Sequence, residues 1–310
     1  MSDRLYLGVD GGGTSTTCWI GDGSGRVLGR GVAGPSNRKA VGSEAAREAL
    51  DASIRLAFAG SGLDPRPVAA ACLGLAGFDR PEDRSWLEGW AAGSAWEGPL
   101  MLVNDGDLVV AAGTPEGWGV ALIAGTGSIA VGRDPSGATA RAGGWGYLLG
   151  DEGSAYAVAL AGLRKVARRA DGRDSAASPA LAARLCEALG IGSTDALVSA
   201  IYREGVDRAR IAALAPAVVA TSEDDPSILP EILEPAGVEL ANMVEAVASR
   251  LKMAAGPLPL AMAGSFLLNC RALAGVVLGS LEARGRPVSA FFVVDPVEGA
   301  LALARRGRIS

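Results

Sequence analysis

Two stretches of this chain repeat one pattern, and the repeat narrows the folds open to it. In the first, an apolar run (Leu5, Tyr6, Leu7, Val9) ends in Asp10, three glycines (Gly11, Gly12, Gly13) and Thr14. Residues 16–20 then read as a second strand, Asp22-Gly23-Ser24-Gly25 as a polar turn and residues 26–31 as a third strand. In the second, residues 120–123 form an apolar run, followed by the turn Ala124-Gly125-Thr126-Gly127-Ser128. Strands over 129–132 and 138–142 flank the turn Asp134-Pro135-Ser136-Gly137. Ten positions separate Thr14 from Ser24, and ten separate Thr126 from Ser136. Two equally spaced strand–turn–strand–turn–strand units point to a duplicated plan.

The segments between these units alternate strand and helix. Residues 43–58 are amphipathic, with Ala46, Leu50, Ile54 and Ala57 on one face and Glu44, Glu48, Asp51 and Arg55 opposite. Apolar strands over 68–75 and 100–103 enclose a helical stretch at 80–95. Residues 152–255 are largely helical. A strand at 258–262, a helix at 266–284, a strand at 288–294 and a closing helix at 296–306 complete the chain. The expectation is an α/β protein of two domains with one plan. The pattern breaks at Thr114-Pro115-Glu116-Gly117, giving domains 1–115 and 116–295, the second with a helical insertion. The final segment, 296–310, carries small residues (Gly299, Ala300) suited to packing back on the first domain.

The chain has 310 residues, 49% hydrophobic and 20% charged, which describes a globular protein with a sizeable core. A net charge of −5 without a long basic run argues against nucleic acid or an acidic membrane as partner. No targeting or membrane-spanning segment is apparent, so a cytoplasmic protein is expected. Cys18, Cys72, Cys186 and Cys270 are dispersed and read as small core residues, not metal ligands or disulfides. There is no histidine. Any general base is therefore most readily an Asp or Glu, and Ser-His-Asp and His–metal chemistry are excluded.

Several residues are placed for phosphate chemistry. Asp10 at a strand end, beside bare amides and hydroxyls, suits the water shell of a phosphate-bound cation. The amides of Gly11 to Thr14 could face phosphate oxygens, with Gly125 to Ser128 as a second cradle from the other half. No GxxxxGK[ST] sequence is present, so a P-loop is out. Asp105 follows a buried strand, at the edge where α/β ligands gather, and fits a general base or equally a helix N-cap. In residues 143–156 (GGWGYLLGDEGSAY), Asp151 and Glu152 suit sugar hydroxyls and Trp145 a ring face. Asp151 also fits a helix cap near Gly153. Asn37 can donate and accept at once, and fits hydroxyl recognition or an Asx turn.

Taken together these residues resemble the sugar-kinase branch of the actin and heat-shock ATPase superfamily. The likeness is to the N-acetylglucosamine kinase group of the BadF/BadG/BcrA/BcrD ATPase family, over nearly the whole chain. Gly8 to Thr14 (GVDGGGT) resembles the first phosphate motif, Ile123 to Ser128 (IAGTGS) the second and Ala261 to Ser265 (AMAGS) the adenosine motif. The GGWGYLLGDEGSAY stretch is the most specific of the four. The resemblance implies two ribonuclease-H-like (actin-like ATPase) domains with an interdomain cleft. It implies ATP and Mg2+ as cofactors, a homodimer, and phosphorylation of the 6-hydroxyl of an amino sugar, foremost N-acetyl-D-glucosamine.

Residue by residue, Asp105 resembles the catalytic base and Asp10 the magnesium-side carboxylate. Asn37, Gly77, Asp79, Gly143, Gly144, Trp145 and Asp151 fall on sugar contacts. Gly11, Gly12, Gly13, Thr14, Gly125, Thr126, Gly127, Gly264 and Ser265 fall on nucleotide contacts. The zinc cysteines of ROK sugar kinases and the cluster cysteines of dehydratase activators are missing. Where the mammalian type of this group has Ser-Gly-Gly-Asp, this chain has Ala76-Gly77-Phe78-Asp79, exchanging a hydroxyl for an aromatic ring. Rival readings are a glucosamine or N-acetylmuramic acid kinase, for which Arg38 and Lys39 are candidate carboxylate partners, and a conformational ATPase acting on a protein.

Overall fold

The computed structural model describes residues 4–77, 81–92, 98–174, 178–203, 205, 207–253 and 256–307. The first half runs β1 (Leu5–Gly11), β2 (Thr16–Asp22), β3 (Val27–Ala33), α1 (Arg38–Val41) and α2 (Ser43–Ser61). It continues through β4 (Ala70–Leu75), α3 (Pro81–Ala91), β5 (Leu100–Asn104) and α4 (Asp105–Gly113). The second half opens with β6 (Gly119–Ala124), β7 (Ser128–Arg133) and β8 (Thr139–Gly143). A helical block follows: α5 (Ala155–Ala170), α6 (Pro179–Leu189), α7 (Leu197–Tyr202), α8 (Arg208–Ala212), α9 (Ala215–Asp224) and α10 (Glu234–Arg250). The chain closes with β9 (Leu258–Ala263), α11 (Ser265–Asn269), α12 (Arg271–Ala283), β10 (Val288–Phe292) and α13 (Val297–Arg306).

The strands make two five-stranded sheets, ordered β3-β2-β1-β4-β5 and β8-β7-β6-β9-β10. Each is an antiparallel three-strand meander extended by two parallel strands. The repeat extends to the atoms of the paired turns. Ser24 Oγ donates to Asp22 Oδ1 at 2.5 Å and Ser136 Oγ to Asp134 Oδ1 at 2.6 Å. The same carboxylate oxygens accept the amides of Arg26 and Ala138 two residues further on. These are equivalent Asx turns, each closed by a glycine at positive φ (Gly25, Gly137).

Each sheet has its own core. Leu7, Val9, Ile20, Leu50, Leu73 and Leu87 fill the first. Leu122, Val158, Leu185, Leu240, Met262 and Leu281 belong to the second. Between them lies α4, which is apolar from Leu108 onward, as a helical segment packed against two cores must be. Its Leu108 and Ala111 pack with Val103, Ala300 and Leu303, while Val109 and Val110 pack with Ala121, Ala261 and Val293. The closing helix α13 lies against β1 and α4, and a Cβ on Gly299 would sit 2.0 Å from the Leu108 carbonyl. Among the described residues no helix is long and apolar enough to cross a membrane.

The helix expected over 266–284 is instead two helices. Cys270, with φ −113° and ψ 86°, breaks it between α11 and α12. Its side chain is buried at 1% exposure in the second core, so packing outweighs the local helical preference.

Candidate active site

Asp10 and Asp105 reach one place from two strands. In register, Asp10 of β1 is level with Gly74 of β4, and Leu75 beside it is level with Asn104 at the end of β5. With neighbouring strands about 4.8 Å apart, the two backbones lie roughly 10 Å from each other across the carboxyl edge of the sheet. Asn104, not Asp105, is the N-cap of α4, its side chain accepting the Gly106 amide at 3.2 Å. Asp105 is the first residue of the helix, its Oδ1 accepting the same amide at 2.9 Å. An N-terminal helical turn favours an ionised carboxylate.

Asp10 is pushed up to about 7, first by burial, then by the charges of Asp105 and Asp295. Three carboxylates therefore converge at the junction of β1, α4 and α13. Asp295 was not singled out from sequence. The signal was nevertheless there, an aspartate just past a terminal strand and just before a helix, the same placing as Asp105. Among the described residues no group of three or more His, Cys, Asp or Glu side chains could by itself hold a metal ion. One or two carboxylates completed by water and phosphate oxygens is the arrangement Mg2+ takes, so the acids present fit that ion.

The first glycine turn differs from expectation. Gly11 is a buried strand residue, paired with Thr16 and Leu75, and not part of an open loop. The Gly12 amide is already used, donating to the Ser15 carbonyl at 2.9 Å. Gly13 and Thr14 remain exposed at the tip. The Gly12 carbonyl accepts the amides of Ser36 and Asn37 at 3.1 and 3.2 Å, and the Gly11 carbonyl that of Ala76 at 2.8 Å. This turn therefore gathers the 36–37 and 76–77 loops around it.

Asn37 caps α1, its Oδ1 accepting the Lys39 amide at 3.1 Å, which leaves Nδ2 for a ligand. It lines a small cavity of about 20 Å3 with Gly77, Ser36 and Trp86. Ser36 is 2% exposed, and its Oγ has no hydrogen-bond partner among the described residues. Such an orphaned buried hydroxyl is a group a ligand or water would satisfy. Asp79, with Phe78, lies outside the described residues. Arg38 and Lys39 both grip Asp83, at 2.6 and 3.3 Å. Burial is the largest influence on Asp83 and raises it, but these two cations together hold its carboxyl below the usual range.

The second turn borders a cavity of about 490 Å3, within the range of small-molecule sites. Gly125 and Thr126 form one wall, Ser265, Phe266 and Asn269 of α11 another, and alanines of α8 and α9 a third. Gly127 closes the turn, its carbonyl accepting the Gly125 amide at 2.9 Å. At Gly264 φ is +95°, and a Cβ would lie 2.4 Å from the Ala124 carbonyl. Only glycine lets the β9–α11 turn lie against the β6–β7 turn so that both line one space. Small walls, a fixed turn and polar ends fit a nucleotide. The first turn is not among the lining residues.

Asp151 is not the cap of α5. The cap of α5 is Ser154, whose Oγ accepts the Ala157 amide at 3.2 Å. Asp151 is 3% exposed with φ +62°, an unusual angle for a non-glycine residue. Its carboxylate accepts the Ser128 amide at 3.2 Å and pairs with Arg208 at 3.2 Å. It thus ties the second turn to α8, on the wall of the large cavity. Arg208 carried no sequence signal, being 57 residues away. Gly143 and Gly144 both have positive φ, and the Gly144 amide donates to the Ser128 carbonyl at 3.0 Å. Trp145 beside them is 65% exposed, with Arg141 over its ring at 5.4 Å.

Residues 7–304 match the profile of the BadF/BadG/BcrA/BcrD ATPase family. The chain is 32% identical over 266 residues to an N-acetylmuramic acid/N-acetylglucosamine kinase of Clostridium acetobutylicum, covering 86% of each chain. It is 32% identical over 180 residues to an N-acetyl-D-glucosamine kinase of Dictyostelium discoideum, covering 55% of this chain and 56% of that one. A solved structure of a candidate N-acetylglucosamine kinase from Chromobacterium violaceum superposes with a TM-score of 0.76 at 28% identity, covering 97% and 99% of the two chains. By the extent of the profile match, this chain belongs to the BadF/BadG/BcrA/BcrD ATPase family.

Proposed function

We propose that this protein is an ATP-dependent kinase that phosphorylates the 6-hydroxyl of N-acetyl-D-glucosamine. One observation carries the reading: Asp105 stands on the first turn of a helix lying between two like-built sheets, near enough that its charge, like that of Asp295, acts on Asp10. That is where an acceptor hydroxyl, a phosphoryl group and a cation would have to meet. The two relatives named as amino-sugar kinases support the choice of acceptor.

In this reading Asp105 accepts the proton of the sugar hydroxyl and orients it for in-line attack. Asn37 Nδ2, Gly77, Asp79, Gly143, Gly144 and Trp145 hold the sugar. Thr14, Thr126, Gly264 and Ser265 position the nucleotide, with Gly11, Gly12, Gly13, Gly125 and Gly127 shaping the turns. Asp151 braces the second turn through Ser128 and Arg208. When bound, ATP supplies the phosphoryl group, and Mg2+ on the Asp10 side offsets its charge. Residues 1–115 with 296–310 form one body of the cleft, and residues 116–295 the other.

The test is a coupled assay of ADP release with N-acetylglucosamine, glucosamine, N-acetylmannosamine and glucose, with the product located by phosphorus NMR. Release that depends on N-acetylglucosamine and yields the 6-phosphate is expected. Hydrolysis indifferent to every sugar would instead indicate a conformational ATPase.

A further inference from the structure

Strand β7 (Ser128–Arg133) alternates between two faces along its length. Ser128, Ala130 and Gly132 are buried, Ala130 in the second core, and a Cβ on Gly132 would come within 2.5 Å of Val247. One side of the strand is therefore packed tightly against α10. Its other side, Ile129, Val131 and Arg133, meets three parts of the proposed site in turn. Ile129 lies under Gly144, where an added Cβ would fall 2.7 Å from its Cδ1. Val131 lies against Gly106, where an added Cβ would fall 2.4 Å from its Cγ2. Arg133 pairs with Asp107, Nη2 to Oδ1 at 2.9 Å.

The first turn of α4 is thus held from the second sheet at the two residues that follow Asp105. The Gly106 amide donates to Asp105 Oδ1 at 2.9 Å, so the residue seated on Val131 also anchors the carboxylate beside it. The Arg133–Asp107 pair is more than a loose surface contact. The two side chains are only 14% and 25% exposed, and Arg133 Nη1 donates to the Gly137 carbonyl at 3.2 Å. That second bond fixes the guanidinium fork, and partial burial reduces screening of the pair. The same strand begins at Ser128, the last residue of the second glycine turn. At about 3.3 Å per residue, roughly 16 Å of packed strand joins that turn to the ion pair.

We propose that Arg133 is a positioning residue: through Asp107 it fixes the first turn of α4, and with it Asp105, at a set distance from the second glycine turn. The proposal rests on the kinase reading above. It adds that the acid on the helix after β5 takes its alignment from a strand of the other sheet. A base displaced by about 1 Å can lose on the order of 100-fold in rate, so a brace of this kind acts on turnover and not on ligand affinity.

The test measures kcat and KM with N-acetylglucosamine and ATP, well below the melting temperature of each variant. Arg133→Gln and Asp107→Asn should each lower kcat ~10-fold or more and leave both KM values within about 2-fold. The double variant should be no slower than either single one, because both remove the same pair. Arg133→Lys, which keeps the charge, should restore part of kcat, and it remains informative if Arg133→Gln folds poorly. Arg286→Gln breaks a pair of similar burial with Glu245 at 2.7 Å, remote from Asp105 in the sequence, and should lower the melting temperature without lowering kcat. An unchanged kcat in Arg133→Gln and Asp107→Asn, additive losses in the double variant, or an equal kcat loss in Arg286→Gln overturns this proposal alone. Unaltered protein that transfers no phosphate to the sugar overturns the kinase reading with it.

Discussion

Asp10 on β1 and Asp105 on the first turn of α4, just past β5, stand at one sheet edge, close enough that the charge of Asp105 helps raise Asp10 to about 7. Two acids held apart in environment but near in space are a common basis for dividing roles. Asp105, on the first turn of a helix, is placed to accept a proton. Asp10, half-buried beside two other acids, is the group that most gains from a cation.

Replacing the base tests the first role. Asp105→Asn keeps the shape and the contact with the Gly106 amide but cannot take a proton. Turnover should fall at least ~100-fold, in line with general-base losses, while calorimetry still detects sugar binding. Unchanged turnover would remove Asp105 from the mechanism.

Asp10 gives a pH signature in metal-free protein. Its folded value, about 7, lies above its ordinary 3.8, so the folded protein holds a proton that the unfolded chain has released. Stability is fully present below pH ~4 and declines as pH rises through 7, by on the order of 1.4 kcal/mol per unit at most. Thermal melts in EDTA should show Asp10→Asn flattening this slope and raising the melting temperature at pH 8 relative to the parent. The same variant should bind Mg·ATP more weakly. Asp295→Asn should move the sloping window to lower pH.

Asp151 separates a bracing role from a catalytic one. Asp151→Asn keeps an acceptor for the Ser128 amide and tolerates the left-handed backbone, but loses the ion pair with Arg208. KM for ATP should rise several-fold with kcat less affected. Asp151→Ala removes the acceptor as well and should lower stability by roughly 1–3 kcal/mol. Melting curves and initial rates on the two variants check this, and a pure kcat loss in Asp151→Asn would contradict it.

The seam between α13 and α4 predicts a stability effect far from the chemistry. A Cβ at residue 299 would lie 2.0 Å from the Leu108 carbonyl, where neither backbone can yield freely. Gly299→Ala should destabilise the protein by about 2 kcal/mol or more, typical of overpacking. Because α4 carries Asp105, part of the loss should appear as lowered kcat at temperatures below melting. Ala302→Gly, on the same helix at a half-buried position, should cost about 1 kcal/mol through helix propensity alone.

What the sequence determined by itself was local: two meanders, their matching polar turns and the strand-end aspartates. These follow from side-chain period and turn chemistry, which act over a few residues. The tertiary structure decided what those pieces face. Asp295 joins Asp10 and Asp105 because the last crossover returns α13 to the first sheet. Asp151 is spent on Arg208, 57 residues on, because α8 folds over the second turn. Arg38 and Lys39 are tied to Asp83, while Arg141 and Arg250 line a cavity with Asn104 and Asp107. Charges meet through space across crossovers of many residues, and no short-range pattern encodes which of them will meet.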